Sequence, residues 1–165
     1  MKYIFDTSVV IVLLEICGLE SPLRAFSAKN SLYMPKRVKE EFLDGCKVDK
    51  EVINIFSVCN PAIDESLLTY FNQDSSSGEF WTISYCCKND CCVCVIDEGF
   101  GRNLCKFLGM KLTGSVGIIG EMKKQGFLSR ENLLEIHNKI KKSHFYLSKE
   151  LLEKLDSICQ SSHQT

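Results

Sequence analysis

Two aspartates in this chain share one context. Asp6 follows the apolar run Tyr3-Ile4-Phe5, and Asp97 follows Cys91–Ile96, the most apolar stretch of the sequence. Each acid ends a strand-like segment and precedes a helical one. If the two strands are parallel neighbours, both carboxylates emerge on one sheet edge within reach of a common ion, because ligand crevices of open α/β sheets lie at the carboxyl ends of the strands. Either aspartate alone also suits a helix N-cap. Two glutamates on helices are further candidates. Val38 and Phe42 mark a buried helical face, which favours Glu41 over its neighbour Glu40 as the inward acid. Glu79 stands in the first turn of a helix, where a carboxylate is favoured by the dipole whatever else it does.

The elements that must position these acids alternate. Tyr3–Phe5 reads as a buried strand and Val9–Ile16 as a helix capped by Thr7 or Ser8. A second helix opens at Ser21-Pro22. The strand Ser31–Met34 ends at Pro35, which suits the first turn of the helix Lys36–Leu43. Asp49–Val58 and Asp64–Asn72 have helical periods separated by Asn60-Pro61, and both are expected to be packing helices. The polar loop Gln73–Gly78 caps a helix from Glu79 to about Asn89. After Cys91–Ile96 come a helix through Leu108, a short strand Lys111–Thr113, and the helix Val116–Gln125. Arg130–Lys142 and Lys149–Ile158 close the chain before a polar tail. This alternation predicts a three-layer α/β/α sandwich with a central parallel sheet and extra C-terminal helices.

At 165 residues, 45% hydrophobic and 25% charged, the chain suits one globular domain with a real core. It has no run of about 18 apolar residues and no signal-peptide pattern, so a cytoplasmic protein without a membrane segment is expected. A net charge of −1 excludes a strong overall basic field and leaves any nucleic-acid contact to local patches or to a metal. Lys36, Arg37 and Lys39 form one such patch; Lys139, Lys141 and Lys142 with His144 form another. Trp81 could stack a base, although its helical spacing also suits the core. Five of the ten cysteines fall in Cys86–Cys94. They lack paired zinc-knuckle spacing, and free cysteine acting as a small buried hydrophobe is the expected role. His137, His144 and His163 share no ligand spacing.

Taken in order, the motifs resemble those of the PIN-domain nucleases. They are Asp6-Thr7-Ser8 after a strand, Pro35-x-x-Val38-x-x-Glu41, Ser77-Gly78-Glu79 before a helix, Val95-Ile96-Asp97-Glu98 with Arg102, and Leu108–Gly117. The last three, and Phe145–Leu152, are similar to a small prokaryotic, often archaeal, subfamily related to VapC-type toxins. The resemblance implies a PIN-like nuclease domain over residues 1–128, a helical extension over 129–159 packed on it, and a tail over 160–165. It implies metal-dependent cleavage of RNA with Mg²⁺ or Mn²⁺, hard cations that suit carboxylate oxygens. Asp6 and Asp97 are then direct ligands, Glu79 is a direct or water-bridged one, and Glu41 either supports those ligands from behind or is a base that orients a water. Ser8 and Ser115 hold metal-bound waters, and Lys36, Arg37 or Arg102 meets phosphate. Arg102 could equally pair with Glu98, four residues earlier.

Many PIN domains carry a further aspartate where this chain has Thr113-Gly114-Ser115. That leaves a second metal open, with Glu98 as a substitute acid. An antitoxin protein and a homodimer are the partners the resemblance implies. The alternative is a PIN-like module that has lost catalysis and binds RNA or protein. A haloacid-dehalogenase-like phosphatase is disfavoured, because it needs a second acid where Ser8 stands.

Overall fold

The computed structural model describes residues 1–143 and 149–160, with the side chains of 149–152 and 159 outside that description. His144, the first half of the stretch Phe145–Leu152 and the tail beyond residue 160 therefore lie outside the described residues. Five strands, β1 (Lys2–Phe5), β2 (Ser31–Pro35), β3 (Ser57–Cys59), β4 (Cys92–Val95) and β5 (Leu112–Thr113), form one sheet in the order β3-β2-β1-β4-β5. Every pairing is parallel. The chain builds outward from β1 through β2 to β3, then returns to the other side of β1 for β4 and β5. The direction of winding therefore changes between β1 and β4, and the crevice of an open parallel sheet lies at that point.

Helices cover both faces. They are α1 (Thr7–Ile11), α2 (Glu20–Ser27), α3 (Lys36–Gly45), α4 (Glu65–Leu68), α5 (Gly78–Cys87), α6 (Gly99–Phe107), α7 (Ser115–Lys124), α8 (Arg130–Lys142) and α9 (Lys149–Gln160). Alternation along the strands divides the core in two. Tyr3 and Phe5 of β1, with Val95 of β4, face a layer built from α1, α2, α7 and α8. Ile4, Cys92, Cys94 and Ile96 face α5 and α6 on the other side. Leu133, Ile136 and Ile140 of α8 belong to the first layer, so that helix shares its core with β1. His137 of α8 meets Asp156 of α9 at 2.6 Å.

The cysteines acquire their places from the same alternation. Cys92 and Cys94 point to one face, Cys86 of α5 and Cys105 of α6 meet them there, and the sulfurs of Cys94 and Cys105 lie 3.6 Å apart. The nine cysteines with described side chains are free thiols.

Three local expectations are corrected. Asp49–Val58 is not a packing helix: Lys50–Ile55 is a 3₁₀ segment, and Phe56 turns extended to lead into the edge strand β3. Val52, Ile53, Ile55 and Phe56 are buried, so a short apolar run anchoring an edge strand imitated a helical period. In Asp64–Asn72 the helix lasts only through Leu68, and Asn72 and Gln73 take positive φ values of 52° and 64°. The cap of α1 is Asp6 itself, whose side chain accepts from the Ser8 amide. Beyond α1 the chain continues as a π-helical turn, Val12–Ile16, closed by the Cys17 amide donating to the Val12 carbonyl at 2.9 Å.

Candidate active site

Asp6 leaves the sheet one residue after β1, its amide still donating to Val95 O at 3.0 Å. Its side chain is only 4% exposed, and Oδ2 accepts from Ser8 Oγ at 2.8 Å and from the Ser8 amide at 3.4 Å. Burial pushes its carboxyl up to about 6; the bonds from Ser8 and Thr7 oppose the rise, and the charge of Glu41 adds to it. Asp97 stands in the matching place after β4. Its Oδ1 accepts from the Ser115 amide at 2.9 Å, while its Oδ2 is buried and makes no hydrogen bond. Burial raises this carboxyl as well, against the Ser115 amide, the nearby Ser115 hydroxyl and the Arg102 guanidinium.

Glu79 enters from the first turn of α5, which Ser77 caps by accepting from the Phe80 amide. Its Oε1 accepts from the Gly101 amide of α6 at 3.1 Å. Burial raises it to about 7, with the charges of Asp6 and Glu98 acting in the same direction. Glu41 is differently employed. Its Oε1 accepts from the Gly78 amide at 2.8 Å and from Arg37 Nε at 3.3 Å, and Thr7 Oγ1 donates to its Oε2. It ties α1, α3 and α5 together, whereas Glu40 stays half exposed.

The structure therefore brings Asp6, Glu41 and Glu79 into mutual influence, extends the line to Glu98, and sets Asp97 beside Ser115 at the neighbouring strand end. Glu98 is exposed at the start of α6 and makes no side-chain capping bond. Arg102 does not pair with it: Nη1 donates to Ile96 O at 2.7 Å and Thr113 O at 3.2 Å, joining the ends of β4 and β5. Those carbonyls end short strands and need a donor, which outweighs a solvated ion pair. Ser115 Oγ is buried near the Asp97 carboxylate, without a hydrogen bond of good geometry. Lys36 and Arg37 lie on the exposed side of α3, in pairs with Glu40. Lys139 is held by Glu135 and the Cys17 carbonyl, which takes it out of the basic patch expected on α8.

Reading residue types alone missed the glycines that make room for the acids. A methyl group on Gly78 would lie 2.6 Å from Glu41 Oε2, one on Gly101 2.2 Å from Glu79 Oε1, and one on Gly114 2.4 Å from Asp97 Oδ1. Each acid on α3, on α5 or after β4 thus packs against backbone that has no Cβ. Thr7, the donor to Glu41, was legible only as a capping residue.

Among the described residues, no three His, Cys, Asp or Glu side chains converge tightly enough to enclose a metal ion. The donor set still fits a small hard cation that keeps most of its waters and takes one or two carboxylates. Buried Asp6 and half-buried Glu79 and Asp97 lie at one sheet edge, and Asp97 keeps an oxygen with no hydrogen bond.

A parallel sheet wound in both directions from β1, with acids at the switch point, defines an α/β domain with an anionic sheet edge. The chain matches the DUF3368 family model, described as PIN domain, over residues 2–160, and it belongs to that family. PIN domains are nuclease-type domains that generally bind nucleic acids and use divalent metals. No curated protein and no solved structure matches the chain. Among the described residues no helix is long and apolar enough to cross a membrane.

Proposed function

We propose that this PIN domain is an endoribonuclease that hydrolyses RNA phosphodiester bonds with Mg²⁺ or Mn²⁺. The observation that carries the reading is the buried, unpartnered Oδ2 of Asp97, at the same sheet edge as two carboxyls whose protons burial holds up to about 6 and about 7. Asp97 has the Arg102 guanidinium near it, whereas Asp6 and Glu79 are raised further by neighbouring acids, a charge that a bound cation would offset. When bound, the metal lowers the pKa of a water and stabilises charge on the phosphoryl oxygens.

Asp6 and Asp97 would hold the ion, with Glu79 directly or through a water. Glu79 titrates near 7 without metal, so a bound cation would hold it in the ionised form that binds a metal or a metal-bound water. Ser8 fixes the rotamer of Asp6 through its 2.8 Å bond, and the Ser115 amide fixes that of Asp97. Glu41 acts as a positioning residue that locks the start of α5, and with it Glu79, against α3.

Incubating labelled RNA with Mn²⁺, and again with chelator, tests the reading. Cleavage confined to the metal-containing sample is expected, and metal-insensitive cleavage, or none with any divalent ion, refutes it. The alternative is a binding module without catalysis, favoured by Ser115 in place of an acid; it predicts RNA binding without cleavage.

The resemblance to VapC-type toxins extends the same reading to a cytoplasmic toxin that dimerises and is held by an antitoxin protein. Phe100 and Phe107, 51% and 75% exposed on α6, supply an apolar surface of the kind protein partners cover. Growth arrest on expression, relieved by the product of an adjoining small reading frame, is the expected result.

A further inference from the structure

Residues of α3 and α5 border a cavity of about 290 Å³, lined by Trp81, Pro35, Pro61, Asn60 and Glu40 and rimmed by Lys36 and Arg37. It is near the lower end of the roughly 300–1,000 Å³ usual for small-molecule sites, room for one flat ring system rather than a duplex. Its chemistry is mixed in a particular way. An aromatic ring and two prolines give apolar walls, Asn60 offers an amide that can both donate and accept, and two cations stand at the mouth. Lys36 is held by an exposed pair with Glu40 at 3.6 Å, and Arg37 by Glu40 at 4.0 Å and Glu41 at 3.3 Å. Such pairs contribute little and yield readily to a phosphate.

We propose that this cavity takes one unpaired nucleobase of a single-stranded RNA, stacked on Trp81 with its phosphate at Lys36 and Arg37. The proposal rests on the nuclease reading and specifies its substrate as unpaired at a nucleotide beside the cleaved bond. The placement follows from α5. Trp81 comes two residues after Glu79, and at about 100° per residue the two side chains leave the helix on nearly opposite sides, so roughly the 10 Å width of a helix separates cavity from acids. A base in the cavity therefore belongs to a flanking nucleotide. Arg37 joins the two places, bonding Glu41 at 3.3 Å while it rims the cavity. Single-strand binders combine the same elements, a cationic track for the backbone and an aromatic face for the base.

Trp81 is the only tryptophan in the chain, so its emission reports on this cavity alone. The full chain is titrated in chelator, where RNA stays intact, with a short single-stranded RNA, while anisotropy of a labelled copy reports binding. Trp81 emission is expected to fall along the anisotropy curve, and a duplex of the same sequence to leave it unchanged. Trp81→Ala is expected to weaken binding by roughly tenfold, the scale of one lost base stack, and Trp81→Phe to restore most of it. Lys36→Ala, on a side chain 68% exposed and safe for folding, is expected to lower the salt dependence of binding by about one counterion.

Binding with unchanged emission, or equal binding by Trp81→Ala and the parent, overturns the cavity and leaves the nuclease reading standing. If RNA does not bind at all, the cavity proposal also fails, and cleavage of the same RNA with Mn²⁺ decides separately whether the nuclease reading fails with it.

Discussion

Glu41 and Gly78 are locked to one another across two helices. The Gly78 amide donates to Glu41 Oε1 at 2.8 Å, and the space where a Gly78 side chain would begin is filled by Glu41 Oε2 at 2.6 Å and Thr7 Oγ1 at 2.8 Å. The first amide of α5 is thereby satisfied from α3, and the direction in which α5 presents Glu79 is set by a residue 37 positions earlier.

Gly78→Ala should therefore act at a distance. The added methyl has no room between Glu41, Thr7 and Val38 Cγ2, and overpacking of this kind costs about 1–3 kcal/mol. The expected outcome is a lowered Tm together with loss of cleavage, although no acid has been changed. Full activity with an unchanged Tm would show that Glu41 does not position Glu79.

Asp97→Asn should separate charge from shape. Asparagine keeps an oxygen for the Ser115 amide and removes a buried charge, so metal-free stability is expected to equal or exceed the parent's within about 1–2 kcal/mol, while cleavage is lost. Mn²⁺ at a hundredfold excess over Kd should stabilise the parent by about 2.7 kcal/mol and the variant far less. Thermal melts of both proteins, with Mn²⁺ and with chelator, measure all four quantities. A destabilised variant with an unchanged Mn²⁺ increment would make Asp97 a structural cap.

Without metal, stability should fall as the pH rises. Asp6 and Glu79 titrate near 6 and 7 in the folded chain, against ordinary values of 3.8 and 4.5. Below the ordinary values both are protonated in either state and their stabilising contribution is complete. As the pH rises the unfolded chain ionises first, and that contribution is lost until both folded acids have ionised above about 7. For Asp6 alone the gap is worth roughly 3 kcal/mol. Melts in chelator from pH 4.5 to 8 should show the decline, and Asp6→Asn should flatten it. An equally steep decline in Asp6→Asn would place the effect elsewhere.

The thiols should be ordinary core groups. Cys86, Cys92, Cys94 and Cys105 fill one layer between β4, α5 and α6, and no group of three among the described residues suits a metal. Ten free thiols on the unfolded, unreduced protein, with no stoichiometric zinc or iron, are expected. A shortfall of two or more thiols, or bound zinc, would contradict this.

The sheet and the acid-bearing elements were legible because each joins two signals, a period and a punctuating residue. Phe5 to Asp6, Pro35 to Lys36, Ser77 to Gly78 and Ile96 to Asp97 each mark a change of period at a capping or breaking residue, and the structure changes element within a residue or two of each. The edge strand Ser57–Cys59 was not legible. It has three residues, one neighbour and no period of its own, and its buried approach mimics a helix. Arg102 was misread for a related reason, since i,i+4 spacing shows a possible ion pair and is silent on two strand-end carbonyls brought beside it by β5. The pairing of glycines with acids is a tertiary fact, visible only once α3, α5 and α6 meet.

The sheet order also sets a clock. β1 is made first, yet its partner β4, which brings Asp97, follows about 90 residues later. At about 5–20 residues per second, roughly 5–20 s of synthesis separate the two aspartates. For that interval the nascent chain carries Asp6 and Glu41 without Asp97, and Ser115, which orients Asp97, is later still. The acidic edge is thus complete only after β4 and β5 have left the ribosome, as the domain closes.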